Sequence, residues 1–198
     1  GHIARYRQRL VETRAYEREM QIRLKRRVFD TFDQLLRHTG RPGLSAGTSL
    51  LDLGAADGSF VDCCIDSGLE ARGIDIDDGI NLEDTPFPVG DGSVDVVTAN
   101  SVIEHLLSPE NILSESLRTL KPGGALILVT PNWRFSVREF YDDPTHVRPY
   151  TQESISELLR MYGYEDIRVY PWIVKKPAAM WELPLAFHIA RFLPFRGD

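Results

Sequence analysis

The feature that most constrains this chain is a short apolar strand that runs directly into a glycine-containing turn. Residues 49–53 form a predicted buried strand, Gly54–Gly58 follow at once, and a helix is predicted over Asp57–Ser67. Glycine lets the backbone curve tightly and lets a ligand approach where a Cβ would clash. A strand, a tight turn and a helix in this order are typical of a parallel sheet covered by helices. The turn is therefore the first candidate for a ligand site.

The rest of the chain repeats this alternation. Strands are predicted at Ala71–Ile76, Val94–Ala99, Ala125–Thr130 and Ile167–Trp172, a brief extended piece at Ile80–Glu83, and helices at Pro109–Leu120 and Thr151–Tyr162. Right-handed crossovers turn such an order into a Rossmann-like, doubly wound, mostly parallel sheet. The predicted class is therefore α/β with an N-terminal helical extension. Sheets of this kind bind ligands at the carboxyl ends of their strands.

The N-terminal region has a different pattern. Residues 3–38 predict one or two helices, because apolar residues step by four along one side and arginines occupy the other. Gly40–Gly43 ends that pattern and starts a loop. Two regions are predicted: a helical extension over residues 1–43 and the α/β domain over residues 44–198.

Charge is distributed unevenly between these regions. Residues 1–40 hold 10 Lys and Arg against 5 Asp and Glu, whereas the remaining 158 residues hold 13 against 24. A basic arm on an acidic body is suited to phosphate or to an anionic membrane surface. The alternative is an amphipathic helix whose charged side is simply solvated.

Composition narrows the broad class. The apolar share of 42% and the charged share of 26% are ordinary for a folded domain and argue against disorder. No leader and no membrane-spanning run is expected. Cys63 and Cys64 are adjacent, so we interpret them as reduced core residues of a cytoplasmic protein, with no metal-site spacing.

The glycine turn distinguishes between nucleotide cofactors. Ala56 and Ser59 occupy the second and third glycine positions of a G-x-G-x-x-G pattern, which argues against NAD or FAD. The run Asp52–Gly58 instead resembles motif I of the class I S-adenosylmethionine-dependent methyltransferases, with Ala56 departing at the middle glycine. The segments Asn81–Pro88, Asp91–Leu106 and Leu120–Leu126 resemble that family's later motifs in the same order. The resemblance implies S-adenosylmethionine as methyl donor and S-adenosylhomocysteine as product.

The resemblance also implies which residues contact the cofactor. Asp75 ends the second strand about twenty positions after the turn and would bind the ribose hydroxyls, with Asp77 and Asp78 as rivals. Asn81 and the backbone of Leu82 would face the adenine, although the usual helix before them is nearly absent. The full predicted set is Asp52, Gly54, Ala55, Ala56, Gly58, Asp75, Ile76, Asn81, Leu82 and Asn100.

Missing sequence features exclude several classes of methyl acceptor. No proline or aromatic ring follows Asn100 to grip a flipped base, and no cysteine lies in a loop. A small-molecule, sugar or lipid-linked glycan acceptor remains, methylated at oxygen. His146 is the first candidate for a general base, with Asp143 and Asp142 behind it. A histidine that bonds the loop backbone is the alternative.

Several interpretations stay open. The pair Glu104-His105 resembles a Glu-His pair that, together with further carboxylates, is linked to a divalent metal in the ubiquinone O-methyltransferases. Only the pair is clear here, so a contact with the N-terminal helix is the expected role and no metal is expected. The apolar tail over residues 171–196 would cover the acceptor pocket, mediate a homodimer, or rest peripherally on a membrane. Competing functions are an RNA methyltransferase guided by the basic helix, although nucleic acid is not the expected partner, and a non-catalytic scaffolding module.

Overall fold

The computed structural model describes residues 2–171, with side chains described from residue 20 onward. Helices lie at His2–His38 (α1), Ser59–Asp66 (α2), Glu110–Thr119 (α3), Trp133–Ser136 (α4) and Gln152–Met161 (α5). Strands lie at Ser49–Leu53 (β1), Glu70–Ile74 (β2), Val94–Asn100 (β3) and Leu120–Val129 (β4). Single turns of 3₁₀ helix lie at Ile76–Asp78, Ile103–His105 and Phe140–Asp142.

The strands form one parallel sheet in the order β2-β1-β3-β4. The predicted α/β class is confirmed, and the carboxyl ends of all four strands lie along one edge. The chain moves outward from β1 to β2 and then returns to place β3 on the other side of β1. The strand order therefore reverses beside β1, where open parallel sheets bind their ligands.

Both faces of the sheet are covered, because alternate residues of each strand point to opposite sides. Leu50 and Val96 belong to a core shared with α1 and α2. Leu51 and Val97 belong to the core on the other face, which includes residues of α3 and α5. Central strands buried on both faces explain the continuous apolar runs in the sequence.

The N-terminal region is a single helix whose last turns pack into the domain. Phe32 is fully buried, and its ring meets that of Phe60 edge to face, with centroids 5.7 Å apart. The helix ends as predicted at Gly40, which adopts a φ of 78°. The N–H of Gly40 donates to the Arg37 carbonyl and that of Arg41 to the Leu36 carbonyl, a pairing that closes helices.

Strand β4 begins earlier than predicted. The segment Lys121–Gly124 was expected to separate helix from strand, yet it lies within β4 as an irregularity in the pairing with β3. Val94 pairs with Leu120 and Val96 with Ala125, so the extra residues bulge from the sheet. The Lys121 ammonium lies 2.9 Å from the Asp95 carboxylate and holds the bulge against β3.

Two predicted extended segments are wrong. Ile167–Pro171, the described part of the last predicted strand, pairs with no described strand, because Asp166 turns the chain with a φ of 50° and leaves Val169 exposed. Ile80–Glu83 is a turn instead, since the Asn81 side chain accepts the N–H of Glu83 and local bonding replaces a sheet ladder.

The two cysteines lie in α2 and are free thiols. Cys64 is fully buried, and burial raises the pKa of its thiol to about 12. Such a thiol is protonated at neutral pH and packs as a small apolar group, as the sequence predicted. None of the described helices has the length and apolar character that crossing a bilayer requires.

Candidate active site

The glycine turn after β1 is shaped by two left-handed residues. Gly54 has a φ of 69°, and a Cβ there would lie 2.6 Å from a methyl group of Val102. Gly58 has a φ of 72° and precedes the first turn of α2. The N–H groups of Gly54 and Ala55 both donate to the Ile74 carbonyl, which ties the turn to β2. A side chain at Gly54 would therefore clash with Val102 and be strained at this positive φ.

Ala56 occupies the middle position of this turn in a left-handed conformation, with a φ of 49°. Residues other than glycine adopt this region at a cost of about 1–3 kcal/mol when the surroundings impose it. The Ala56 N–H donates to Asp75 Oδ2 at 2.9 Å, which holds the residue in place. The structure thus explains why glycine suits this position, and why alanine is tolerated there.

Asp75 lies where the sequence placed it, at the carboxyl end of β2 beside the glycine turn. Its carboxylate accepts the N–H groups of Ala56 and Asp77. Asp78 turns back to accept the Asp75 N–H, so it caps the 3₁₀ turn. Asp77 projects from the exposed side of that turn. Among the three carboxylates, Asp75 is the one directed toward the turn.

Ile76 follows Asp75 and presents an apolar surface to solvent. Its side chain is 64% exposed, although the residue lies at the ligand-binding edge of the sheet. An isolated exposed apolar side chain has no significance by itself. The role of Ile76 as a cofactor contact stays a prediction.

Asp52 is buried within the sheet, one residue before the strand ends. Its Oδ1 accepts the Thr98 hydroxyl of β3 at 2.6 Å. Burial raises the pKa of this carboxyl to about 6, and the Thr98 hydrogen bond opposes that rise. A positively charged ligand at the turn would favour the ionised form.

The segment between the second and third strands is a turn held by α3. The Leu82 side chain lies in the core, and the predicted contact of its backbone with the adenine stays a prediction. Asn111 of α3 donates to the carbonyls of Leu82 and Thr85. The side-chain oxygen of Asn81 accepts a hydrogen bond from the Glu83 N–H.

Farther along this segment, α3 supplies a second set of contacts. Glu115 accepts the Phe87 N–H at 2.7 Å, and Arg118 donates to the carbonyls of Phe87 and Val89. Glu115 and Asp91 hold the pKa of the Arg118 guanidinium above its usual range. These α3 side chains hold the segment in place although the helix that usually precedes it is absent. This role was not predicted from the sequence.

Asn100 ends β3 at the same edge, and its side chain is exposed. The next residue, Ser101, has a φ of 56° and donates its N–H to the Val129 carbonyl of β4. The chain therefore turns sharply after Asn100 and leaves its amide directed away from the core. The contact of Asn100 with the cofactor stays a prediction.

His146 lies in the loop that follows β4. His146 Nδ1 lies 2.6 Å from the Phe140 carbonyl, to which it donates because a carbonyl can only accept. The other nitrogen, Nε2, therefore carries the lone pair of the neutral ring. The Nδ1 contact is the loop-backbone bond that the sequence left as the alternative, and a catalytic role for Nε2 stays a prediction.

The two aspartates predicted behind His146 are placed differently. The position behind the ring is taken by the Phe140 carbonyl, so neither carboxylate orients Nδ1. Asp143 lies on the opposite side, 3.8 Å from Nε2, and accepts the N–H and hydroxyl of Thr145. Asp142 is exposed and makes no hydrogen bond to His146 within the described residues.

Glu104 contacts the end of β4 and the loop that follows β4. Its Oε2 accepts the Thr130 hydroxyl at the end of β4, and its backbone carbonyl accepts the N–H groups of Val147 and Arg148. The expected contact with α1 stays a prediction, because the side chains of residues 2–19 are not described. Burial raises the pKa of the Glu104 carboxyl above its usual range.

Aromatic rings line the chain that leads to His146. Trp133 and Tyr141 each meet the Phe140 ring edge to face, with centroids 5.5 and 5.1 Å away. Phe140 lies 4.6 Å from the His146 ring. Tyr141 and Phe135 are 58% and 63% exposed, which leaves apolar surface beside the histidine.

Comparison with known proteins agrees with this geometry. The family described as a methyltransferase domain matches residues 16–169. A probable S-adenosylmethionine-dependent methyltransferase of Mycolicibacterium smegmatis is 32% identical over 139 residues, 61% of this chain and 53% of the relative. This chain thus spans about half the length of that curated relative.

Solved structures share the fold. An Archaeoglobus fulgidus S-adenosylmethionine-dependent methyltransferase superposes with a TM-score of 0.60 at 20% identity, covering 91% of this chain and 90% of that one. One from Aquifex aeolicus gives a TM-score of 0.54 at 19% identity, covering 73% and 84%. The fold is therefore that of the class I S-adenosylmethionine-dependent methyltransferases. The chain belongs to the methyltransferase-domain family.

Proposed function

We propose that this chain is the catalytic domain of an enzyme that methylates an oxygen atom of a small molecule, a sugar or a lipid-linked glycan. The observation that carries this proposal is that a predicted cofactor-binding part and a predicted acceptor-binding part lie along the same edge of the sheet. The glycine turn and Asp75 lie at the ends of β1 and β2, whereas His146 and its aromatic neighbours follow β4. A donor on the first part and an acceptor on the second would meet beside β3.

On the donor side, Asp75 would hold the ribose hydroxyls and Ile76 would cover the adenine. Asp52 and the turn Gly54–Gly58 would face the amino-acid end of the cofactor, with Asn100 and the Leu82 backbone completing the site. S-adenosylmethionine supplies a methyl group activated by its sulfonium. The protein would contribute alignment and the exclusion of water.

On the acceptor side, the lone pair on His146 Nε2 would promote loss of the acceptor proton. The oxygen then forms a bond to the methyl carbon as the carbon–sulfur bond breaks, and the sulfonium becomes a neutral thioether. The exposed rings of Phe135 and Tyr141 would pack against an apolar or sugar-ring face. Asp143 would remain a local partner of the loop.

Two further expectations lie outside the described residues. Residues 172–198 hold most of the apolar tail, for which we propose a covering role or peripheral membrane contact in the cytoplasm. Five of the ten Lys and Arg residues of α1 fall among residues 2–19, whose side chains are not described. RNA guidance by that segment and a homodimer remain alternatives to be tested directly.

The first test is calorimetric titration with S-adenosylmethionine and S-adenosylhomocysteine. We expect micromolar binding, weakened at least tenfold in Asp75→Asn, because a neutral amide loses charge-assisted bonds to the ribose but keeps an acceptor for Ala56. Asp77→Asn is the matched control, one turn position away and exposed. Equal losses in both variants, or no binding by the parent chain, would contradict the proposed site.

A further inference from the structure

Lys25 lies on the side of α1 that packs against the domain. Val28, Phe29 and Phe32 follow it on this side and are buried. They share a face with Lys25 because residues three, four and seven positions apart align on a helix. Lys25 is half-buried, whereas Arg27, which points in another direction, is exposed. The Lys25 ammonium is therefore directed toward the domain.

The next residue, Arg26, is held by partners of its own. Its Nη1 donates to Ser67 Oγ at 3.0 Å, at the C-terminal end of α2, and its Nε lies 3.1 Å from Asp30 Oδ1. Its guanidinium also lies over the Phe29 ring, 4.9 Å from the centroid. Lys25, by contrast, makes no hydrogen bond or ion pair with the residues whose side chains are described. Its ammonium is therefore available to a ligand.

The charge of Lys25 acts on two carboxylates at the glycine turn. Asp52 lies one residue before β1 ends, and Asp57 lies within the turn, just before α2. Burial raises the pKa of the Asp52 carboxyl, and the Lys25 ammonium lowers it. Hydrogen bonds from the hydroxyl and N–H of Ser59 hold the pKa of Asp57 below its usual range, and the Lys25 ammonium lowers it further. A cation that acts on both carboxylates lies beside the turn, at the N-terminal end of α2.

A cation at this place matches the charges of the proposed donor. The amino-acid end of S-adenosylmethionine carries an ammonium and a carboxylate, and the proposed site brings this end to Asp52 and the glycine turn. Asp52 would attract the ammonium. The cofactor carboxylate, however, would be repelled by Asp52, Asp57 and Asp75, which all lie at the same turn. Binding of the whole amino-acid end therefore requires a cation beside the turn.

We propose that Lys25 binds the carboxylate of the donor, so that α1 forms one side of the donor site and selects for donors with an intact amino-acid end. This inference rests on the proposed function, because it concerns the donor of that reaction. The Lys25 ammonium is carried on a flexible four-carbon stem, which lets it reach a ligand without a shift of the helix. A hydrogen bond between two charged groups is about twice as strong as a neutral one. Lys25 thus positions the donor and takes no part in bond breaking.

The test is calorimetric titration of the full chain with S-adenosylmethionine and with its decarboxylated form, which keeps the adenosine, the sulfonium and the ammonium. We expect loss of the carboxylate to weaken binding to the parent chain by about tenfold or more. Lys25→Met keeps most of the side-chain length and removes the charge. It should weaken binding of S-adenosylmethionine by a similar factor, but leave binding of the decarboxylated form within about twofold of the parent value.

The outcomes separate this inference from the proposed function. Arg27→Met removes an exposed cation two positions away and should leave both affinities near those of the parent chain. If Lys25→Met weakens both donors equally, or resembles Arg27→Met, Lys25 does not bind the carboxylate and the inference fails. Binding of S-adenosylmethionine by the parent chain leaves the proposed function standing in that case. If the parent chain binds neither donor, the proposed function and the inference fail together.

Discussion

At the scale of single residues, burial and the charge of a ligand have opposite effects on the pKa of Asp52. The carboxyl lies inside the sheet with one hydroxyl donor, and its pKa rises from 3.8 to about 6. Because the folded pKa lies above the unfolded one, the native state binds the proton more strongly. The destabilisation due to Asp52 is therefore absent below about pH 4 and complete above about pH 6.

This sign leads to a measurable pH dependence. Each pKa unit corresponds to about 1.4 kcal/mol, so the free energy of unfolding of Asp52→Asn, relative to the parent chain, should rise by about 3 kcal/mol between pH 4 and pH 7. Urea titrations at several pH values measure this difference. A difference that stays constant across the range would show that Asp52 has an ordinary pKa.

The same carboxyl should control cofactor affinity. The ammonium and sulfonium groups of S-adenosylmethionine are cationic, so binding should weaken as the pH falls below about 6 and Asp52 becomes protonated. In Asp52→Asn the affinity should be lower at pH 7.5 and nearly independent of pH between 5 and 7. Calorimetry of both proteins across that range checks the expectation, and parallel pH profiles would contradict it.

At the scale of elements, α3 holds the segment that was expected to be extended. Both ends of this helix were predicted within one residue, because its apolar positions recur with helical spacing. The hydrogen bonds of Asn111, Glu115 and Arg118 to the backbone of the segment 82–89 were not predicted. Polar residues on a helix face have no periodic signal that distinguishes a backbone partner from a solvated side chain.

These contacts predict a specific loss. Arg118→Ala removes hydrogen bonds to Phe87 and Val89 and leaves Glu115 without its cation. We expect a lower Tm, faster amide exchange at Phe87 and weaker cofactor binding, since the adenine side becomes less ordered. Hydrogen exchange by mass spectrometry measures the segment directly.

Glu110→Ala is the matched control for that experiment, because Glu110 is an exposed residue in the first turn of the same helix. It should leave both Tm and exchange at Phe87 near those of the parent chain. If Arg118→Ala resembles this control, the segment is held by its own turn rather than by α3.

The glycine turn could be predicted from the sequence pattern, whereas the last strand could not. The turn was predicted because glycine has a distinctive backbone requirement, which the φ of Gly54 bears out. The strand predicted at Ile167–Trp172 was wrong in its described part, because strand pairing depends on a neighbour that alternation alone cannot supply. The contacts of Glu104 with Thr130, Val147 and Arg148 were not predicted for a similar reason: these partners are distant in sequence.

At the scale of the whole molecule, α1 is structurally part of the domain it precedes. Val28, Phe29, Phe32 and Leu36 belong to the same buried cluster as β1 and α2. The predicted boundary at residue 43 therefore separates two sequence patterns that share one core. The family match, which begins at residue 16, likewise includes the packed part of α1.

The shared core predicts a large effect from a single change in α1. Phe32→Ala should lower the free energy of unfolding by about 3–5 kcal/mol, because the side chain is fully buried against Phe60. Ile22→Ala, on the same helix but 59% exposed, should change it by no more than about 0.5 kcal/mol. Guanidinium titration of both variants measures this contrast. Similar values for the two would mean that α1 is dispensable to the core.

The docking of the acceptor loop on Glu104 bears on how sites of this kind diverge. The N–H groups of Val147 and Arg148 bind the main-chain carbonyl of Glu104, whereas its carboxylate faces His105 and His146. A replacement of the side chain at position 104 would therefore leave these two main-chain hydrogen bonds, and with them the register of the loop, in place. The chemistry of the side chain can thus vary at this position independently of the backbone that presents it.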